Sequence, residues 1–150
     1  MIDKARKAIS ESSAESSIYI GGDSIRFKKN GKWFARYATV VIVHIDSKHG
    51  GKIFHFQDIL PDYGNMKQRL LTEVMNTVNL ALELLDVIGD RHLEIHLDLN
   101  KSPKHKSFVA VQEALGYVRG VMPTGTDVRI KPEGWAASHA ADHCARGKPH

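Results

Sequence analysis

The sequence predicts an α/β fold: a mixed five-stranded sheet in the order βββαβαβα, with helices on both faces. Two observations carry this. Residues 18–57 hold three β-branched and aromatic runs, divided at Asn30-Gly31 and at His49-Gly50-Gly51, as in an antiparallel meander. From residue 65 onward, helical spacing alternates with short strand-like runs, the pattern of parallel strands joined by crossovers. At 150 residues and 42% hydrophobic composition, the chain can bury one substantial core.

Residues 1–17 turn from helix-permissive to serine-rich and are expected to form a short helix or arm ahead of a domain over 18–147. Ile18 to about Phe27 is the first strand. Asn30-Gly31 suits a type I′ turn, in which both central residues need positive φ. Residues 33–46 (WFARYATVVIVHID) read as a strand buried on both faces, and Lys52–Gln57 as the third strand. Over residues 65–88 Leu71, Val74, Val78, Ala81, Leu82 and Leu85 recur at helical spacing, with Asn65 as N-cap and Gly89 just past the end. Glu73 falls beside that apolar stripe. Residues 93–99 (LEIHLDL) alternate as a strand carrying Asp98. Ser102-Pro103 then opens a helix marked by Phe108, Val111, Leu115 and Val118. Val128–Lys131 is a last short strand after the Pro123-Thr124-Gly125 turn. Residues 135–146 (WAASHAADHCAR) form an alanine-rich final helix.

Composition narrows the function. Cys144 is the single cysteine, which excludes an internal disulfide and a multi-cysteine zinc site and suits a reducing, cytoplasmic setting. No apolar run is long enough for a membrane span, so no membrane partner is expected. A net charge of +4 allows an anionic partner without demanding one.

Four isolated acids stand at distinctive places. Asp23 closes the run Tyr-Ile-Gly-Gly-Asp, where Gly21 and Gly22 clear space for something to approach. Glu73 lies in the first long helix, Asp98 in the fourth strand and Asp142 in the last helix. If the meander and the crossovers meet in the centre of the sheet, the first and fourth strands are neighbours, and Asp23 and Asp98 come side by side. Two such carboxylates are held together cheaply only by a cation, and hard oxygen ligands suit Mg²⁺ or Mn²⁺. Two ions would fit in-line attack of water on a phosphodiester. Each acid also has an ordinary alternative. Glu73 and Asp142 could be solvated helix residues, Asp98 could end a strand, and Asp23 could precede a turn.

The ordered quartet resembles that of the ribonuclease H-like superfamily, whose acids come from strand one, helix one, strand four and the last helix. More closely, IYIGGDS, RYATVVIVH, HLDLN, KHKS and RIKPEGWAASHAADHCAR are similar to the YkuK-like family, over about residues 16–146. The resemblance implies a nuclease with Asp23, Glu73, Asp98 and Asp142 as metal ligands and catalytic groups. Two departures stand out. Asp98 is followed by Leu99-Asn100, where many ribonucleases H have a small hydroxyl residue, and the strongly basic substrate-handle insertion is missing.

Candidate substrate contacts are Ser24, Lys104, Lys106, Lys131 and His139. Lys101, Lys104, His105 and Lys106 follow Asp98 directly and open a helix, where phosphate would meet positive charge and helix N–H groups. A second basic cluster, Arg26, Lys28, Lys29 and Lys32, surrounds the first hairpin turn and reads most simply as solvated surface. His139 and His143 have the i, i+4 spacing of zinc ligands but lack the glutamate of a hydrolytic HExxH motif. His44, His55 and His96 are expected to be hydrogen-bonded sheet residues. Three readings follow: a two-metal nuclease acting on RNA, RNA/DNA hybrid or structured nucleic acid; a binding module without turnover; and a DNA junction-processing nuclease, which would act as a homodimer.

Overall fold

A computed structural model describes residues 2–45, 51–100 and 108–131, with the backbone alone at 98–100, 108–110 and 131. The elements run α1 (Ile2–Glu11), β1 (Ser17–Lys29), β2 (Lys32–His44), β3 (Gly51–Pro61), α2 (Met66–Ile88), β4 (His92–Asn100), α3 (Phe108–Val121) and β5 (Asp127–Lys131). The His49-Gly50 part of the second turn, Ser102-Pro103 and the helix expected over 135–146 lie outside the described residues.

β1 and β2 pair antiparallel along their whole length, from Ser17–His44 to Lys29–Lys32. Asn30 and Gly31 close the hairpin with φ of 53° and 78°, the two positive angles that a type I′ turn requires. β3 pairs with β2 from Gly51–His44 to Pro61–Phe34. It therefore runs past Gln57, where the sequence pattern ended it, because the long β2 offers backbone partners as far as Phe34. Its outward residues Ile59 and Leu60 stay exposed, as on an edge strand.

The sheet order is β3-β2-β1-β4-β5. β1 is flanked by β2 antiparallel and β4 parallel, so the meander and the crossover half meet on it. Ile18 and Ile20 of β1, Val41 and Val43 of β2, and Leu93, Ile95 and Leu97 of β4 alternate onto one face. There they meet Val74, Val78, Ala81, Leu84 and Ile88 of α2, with Val111, Ala114 and Val118 of α3 and Ile9 of α1. Full burial of each such aliphatic side chain contributes about 1.5–3 kcal/mol. Ala38 and Val40 are buried in a small separate cluster with Ile25 and Ile42, so β2 is covered on both sides as its composition predicts.

α2 starts at Asn65, whose side chain accepts the N–H of Gln68 at 3.0 Å, and ends at Gly89, with φ of 56°. One stripe residue is corrected. Leu82 is exposed, because it follows Ala81 and so points about 100° away from the face that Ala81 buries. α1 docks on α2 through Ile9 in the core and through Arg6, which donates to the Glu83 carbonyl and pairs with Asp86. Arg91 binds the same corner. It donates to the Val87 carbonyl at the end of α2 and to the Ser12 carbonyl and hydroxyl beyond α1.

Candidate active site

The site is assembled where α2 crosses β1. Gly22 makes that crossing close. A Cβ on it would stand 2.7 Å from the Thr77 hydroxyl and 3.3 Å from the carbonyls of Glu73 and Ala38. Thr77 returns its hydroxyl to the Glu73 carbonyl at 2.9 Å, one turn back along α2. Gly22 therefore lets the turn of α2 that carries Glu73 lie on β1, two residues from Ser24.

The Ser24 hydroxyl donates to Glu73 Oε1, and the Ser24 backbone N–H donates to Asp23 Oδ1 at 2.8 Å. One serine thus touches both acids, but from the two faces of β1: its side chain points to α2 as Gly22 does, and Asp23, one residue back, points the other way. Glu73 is only 6% exposed, a depth at which a carboxylate needs partners. Asp23 is half-buried, open enough to meet a solute. Carboxylate oxygens are hard donors, of the kind that Mg²⁺ or Mn²⁺ takes. Tyr37 pairs with Ser24 across β1 and β2 and lies near Thr72. Burial pushes its phenol up, against the smaller downward pull of a hydrogen bond with Thr72.

The structure brings together Ser24 and Glu73 on the α2 side of β1, whereas strand alternation turns Asp23 to the opposite side. Asp98 lies on β4, the parallel neighbour of β1. The last paired rung between them joins Gly21 to His96, and Asp23 and Asp98 each follow it by two residues. The Asp98 side chain is outside the described residues. So are Lys104, Lys106, His139 and Asp142 entirely. Lys131 ends β5, where its backbone pairs with Asn100.

A second polar cluster went unread in the sequence. His92, Glu94 and Asp127 each offer one ligand atom, and these atoms lie within 4.8 Å of one another. Glu94 reaches His92 at 3.0 Å and His96 at 3.2 Å, while Arg129 donates to Asp127 at 2.9 Å and lies 3.6 Å from Glu94. A guanidinium already neutralises both carboxylates, so the cluster is explained as an ion-pair network. His96 is buried, stacks on Tyr19 at 5.4 Å and has its pKa lowered by burial, with Glu94 opposing. The readable signal was His-x-Glu-x-His at 92, 94 and 96, whose period of two puts all three on one face of a strand. His96 is the hydrogen-bonded sheet residue that the sequence predicts.

A ribonuclease H-like family model matches residues 1–146. The chain belongs to the ribonuclease H-like family. Membership supports a nuclease-type function and a nucleic-acid substrate in general terms. Among solved structures, this ribonuclease H-like chain is similar to the prototype foamy virus protease-reverse transcriptase, at 11% identity and a TM-score of 0.45. That match covers 88% of this chain and 20% of that one. It is also similar to LC9-RNase H1, a type 1 RNase H with the type 2 active-site motif, at 15% identity and a TM-score of 0.43. There the coverage is 89% of this chain and 73% of the other. No curated protein matches. No helix among the described residues is long and apolar enough to cross a membrane.

Proposed function

We propose that the protein is a metal-dependent nuclease of the YkuK-like branch, hydrolysing phosphodiester bonds in RNA, RNA/DNA hybrid or structured nucleic acid. The observation that supports this reading is Ser24, whose hydroxyl donates to the buried Glu73 carboxylate while its backbone N–H donates to the neighbouring Asp23. Asp23 and Asp98 would hold one Mg²⁺ or Mn²⁺, and Glu73 and Asp142 would complete a second position. Such ions, when bound, supply an activated water and stabilise the leaving oxygen.

The remaining work falls to the protein. Ser24 orients the Glu73 carboxylate by donating to one of its oxygens, so the other oxygen keeps a defined direction. The backbone N–H of Ser24 does the same for Asp23. Both acids sit on regular elements, Asp23 on a strand paired with β2 along its whole length and Glu73 in the interior of a long helix, which is what geometric control of a reacting phosphodiester needs. Lys104, Lys106, Lys131 and His139 are the proposed substrate contacts.

The test is cleavage of a labelled panel of RNA/DNA hybrid, single-stranded RNA, duplex DNA and a four-way junction, with Mg²⁺, Mn²⁺ or EDTA. Cutting that requires metal and disappears in Asp23→Asn is expected, and the preferred lane names the substrate. No cutting in any lane, with both proteins folded, sinks the proposal in favour of a binding module.

A further inference from the structure

The β1–β2 hairpin projects beyond the acids, and its composition is one-sided. Residues 24–36 carry Arg26, Lys28, Lys29, Lys32 and Arg36 and no acid. Trp33 remains 44% exposed. The Arg26 guanidinium lies 4.4 Å from the centre of its ring and the Lys28 ammonium 5.9 Å. Arg26 is fixed there by donating to Asp62, whose side chain is only 4% exposed. Phe27 and Phe34 stack at 5.8 Å, with Arg36 at 5.2 Å from the Phe27 ring. The type I′ turn and these ring contacts make the tip a stiff support.

Register and alternation place this patch. Lys28 pairs with Trp33, and Ser24, Arg26 and Lys28 follow one another at period two, on one side of β1. Ser24 is the residue whose hydroxyl meets Glu73. From Ser24 to Lys28 the strand covers about 13 Å at ~3.3 Å per residue.

We propose that this face of the hairpin is a docking surface for a single nucleic-acid strand, with a base stacked on Trp33 and a neighbouring phosphate on Lys28. The direction of the bound strand, toward Asp23 and Glu73, rests on the nuclease reading; the docking itself does not. An exposed indole among fixed cations suits an unpaired nucleotide, which offers a ring face and a phosphate together. Bases inside a duplex have their faces covered by their neighbours. An acidic polypeptide would use the charges and leave the indole without a role.

The experiment is fluorescence anisotropy of labelled single-stranded RNA and DNA oligonucleotides with the whole protein in EDTA, so that no turnover intervenes. Trp33→Ala is expected to weaken binding at least about fivefold, while Trp33→Phe keeps most of it. The variant Lys28→Gln is expected to reduce the slope of log affinity against log salt by about 0.7. That variant, at an exposed position, carries the test if Trp33→Ala does not fold. Unchanged binding by Trp33→Ala, an unchanged salt slope, absence of binding by the unmodified protein, or equal competition by polyglutamate of matched charge would each overturn the proposal. The two readings separate cleanly. Metal-dependent cutting with unchanged binding by Trp33→Ala removes the docking surface and leaves the nuclease. Binding that needs Trp33, with no cutting in any lane, does the reverse.

Discussion

Gly22 and Thr77 are packed so tightly that a Cβ on the glycine would stand 2.7 Å from the threonine's Oγ1. Thr77 is fully buried, and the same turn of α2 carries Glu73. This contact sets the distance between the strand of Asp23 and the helix of Glu73. Gly22→Ala is expected to destabilise the protein by about 1–3 kcal/mol, as overpacking a close contact does. Adding Thr77→Ala should return part of that loss, because it removes the nearest atom. Chemical denaturation of the two single variants and the double variant measures the coupling. Additive effects would show that the two residues do not constrain each other.

Glu73→Gln tests whether the acid is kept for chemistry or for folding. The amide oxygen can still accept from Ser24, and a buried carboxyl group is replaced by a neutral amide of the same shape. The melting temperature should therefore hold or rise while metal-dependent cleavage is lost, the trade-off common at active sites. A fall of more than about 3 °C, equivalent to roughly 1 kcal/mol in a domain of this size, would mark Glu73 as structural.

His96 gives the fold a pH dependence of known sign. Burial lowers its pKa below 6.5, with the neighbouring Glu94 and Asp127 pulling it up and Arg129 pushing it further down. The folded protein then binds fewer protons at this ring than the unfolded chain does. Its contribution is complete above pH 6.5 and is lost as pH falls from there through the folded value. Denaturant midpoints at pH 7.5 and 5.5 should differ more for the native protein than for His96→Gln. Equal differences would show that the ring titrates alike in both states.

Arg91 ties the C-terminal end of α2 to the segment after α1. Its guanidinium donates to the carbonyls of Val87 and Ile88 and to Ser12 and Ser13. Arg91→Ala should cost roughly 2 kcal/mol, since several bonds from a charged donor are lost and end-of-helix carbonyls lose their partner. Hydrogen exchange should report the loss at α1 and the last turn of α2. Protection unchanged at α1 would contradict this role.

Much of the fold was legible because its signals are local. Asn30-Gly31 requires two positive φ angles wherever it occurs in a hairpin. Asn65 and Gly89 bracket α2 through bonds to residues within four positions. The alternation of Ile18, Ile20, Leu93 and Ile95 marks a buried strand face before any partner is known. The upper limit of β3 was not legible, because Phe34 on another strand decides how far Pro61 stays paired.

The same division runs through the candidate site. By itself the sequence determined which residues could act: Asp23 behind two glycines, Glu73 beside an apolar stripe, and Ser24 next to Asp23 as a candidate substrate contact. Only the tertiary structure decided that Ser24 reaches Glu73 across 49 residues of sequence and that Gly22 is the opening through which α2 approaches. It also turned Arg26, Lys28 and Trp33 into one patch, because pairing Lys28 with Trp33 sets charge and ring on one face. The reason is physical. Turn geometry and hydrophobic period are set by neighbours along the chain, whereas a hydrogen bond between a strand and a helix depends on packing distances that no local pattern records.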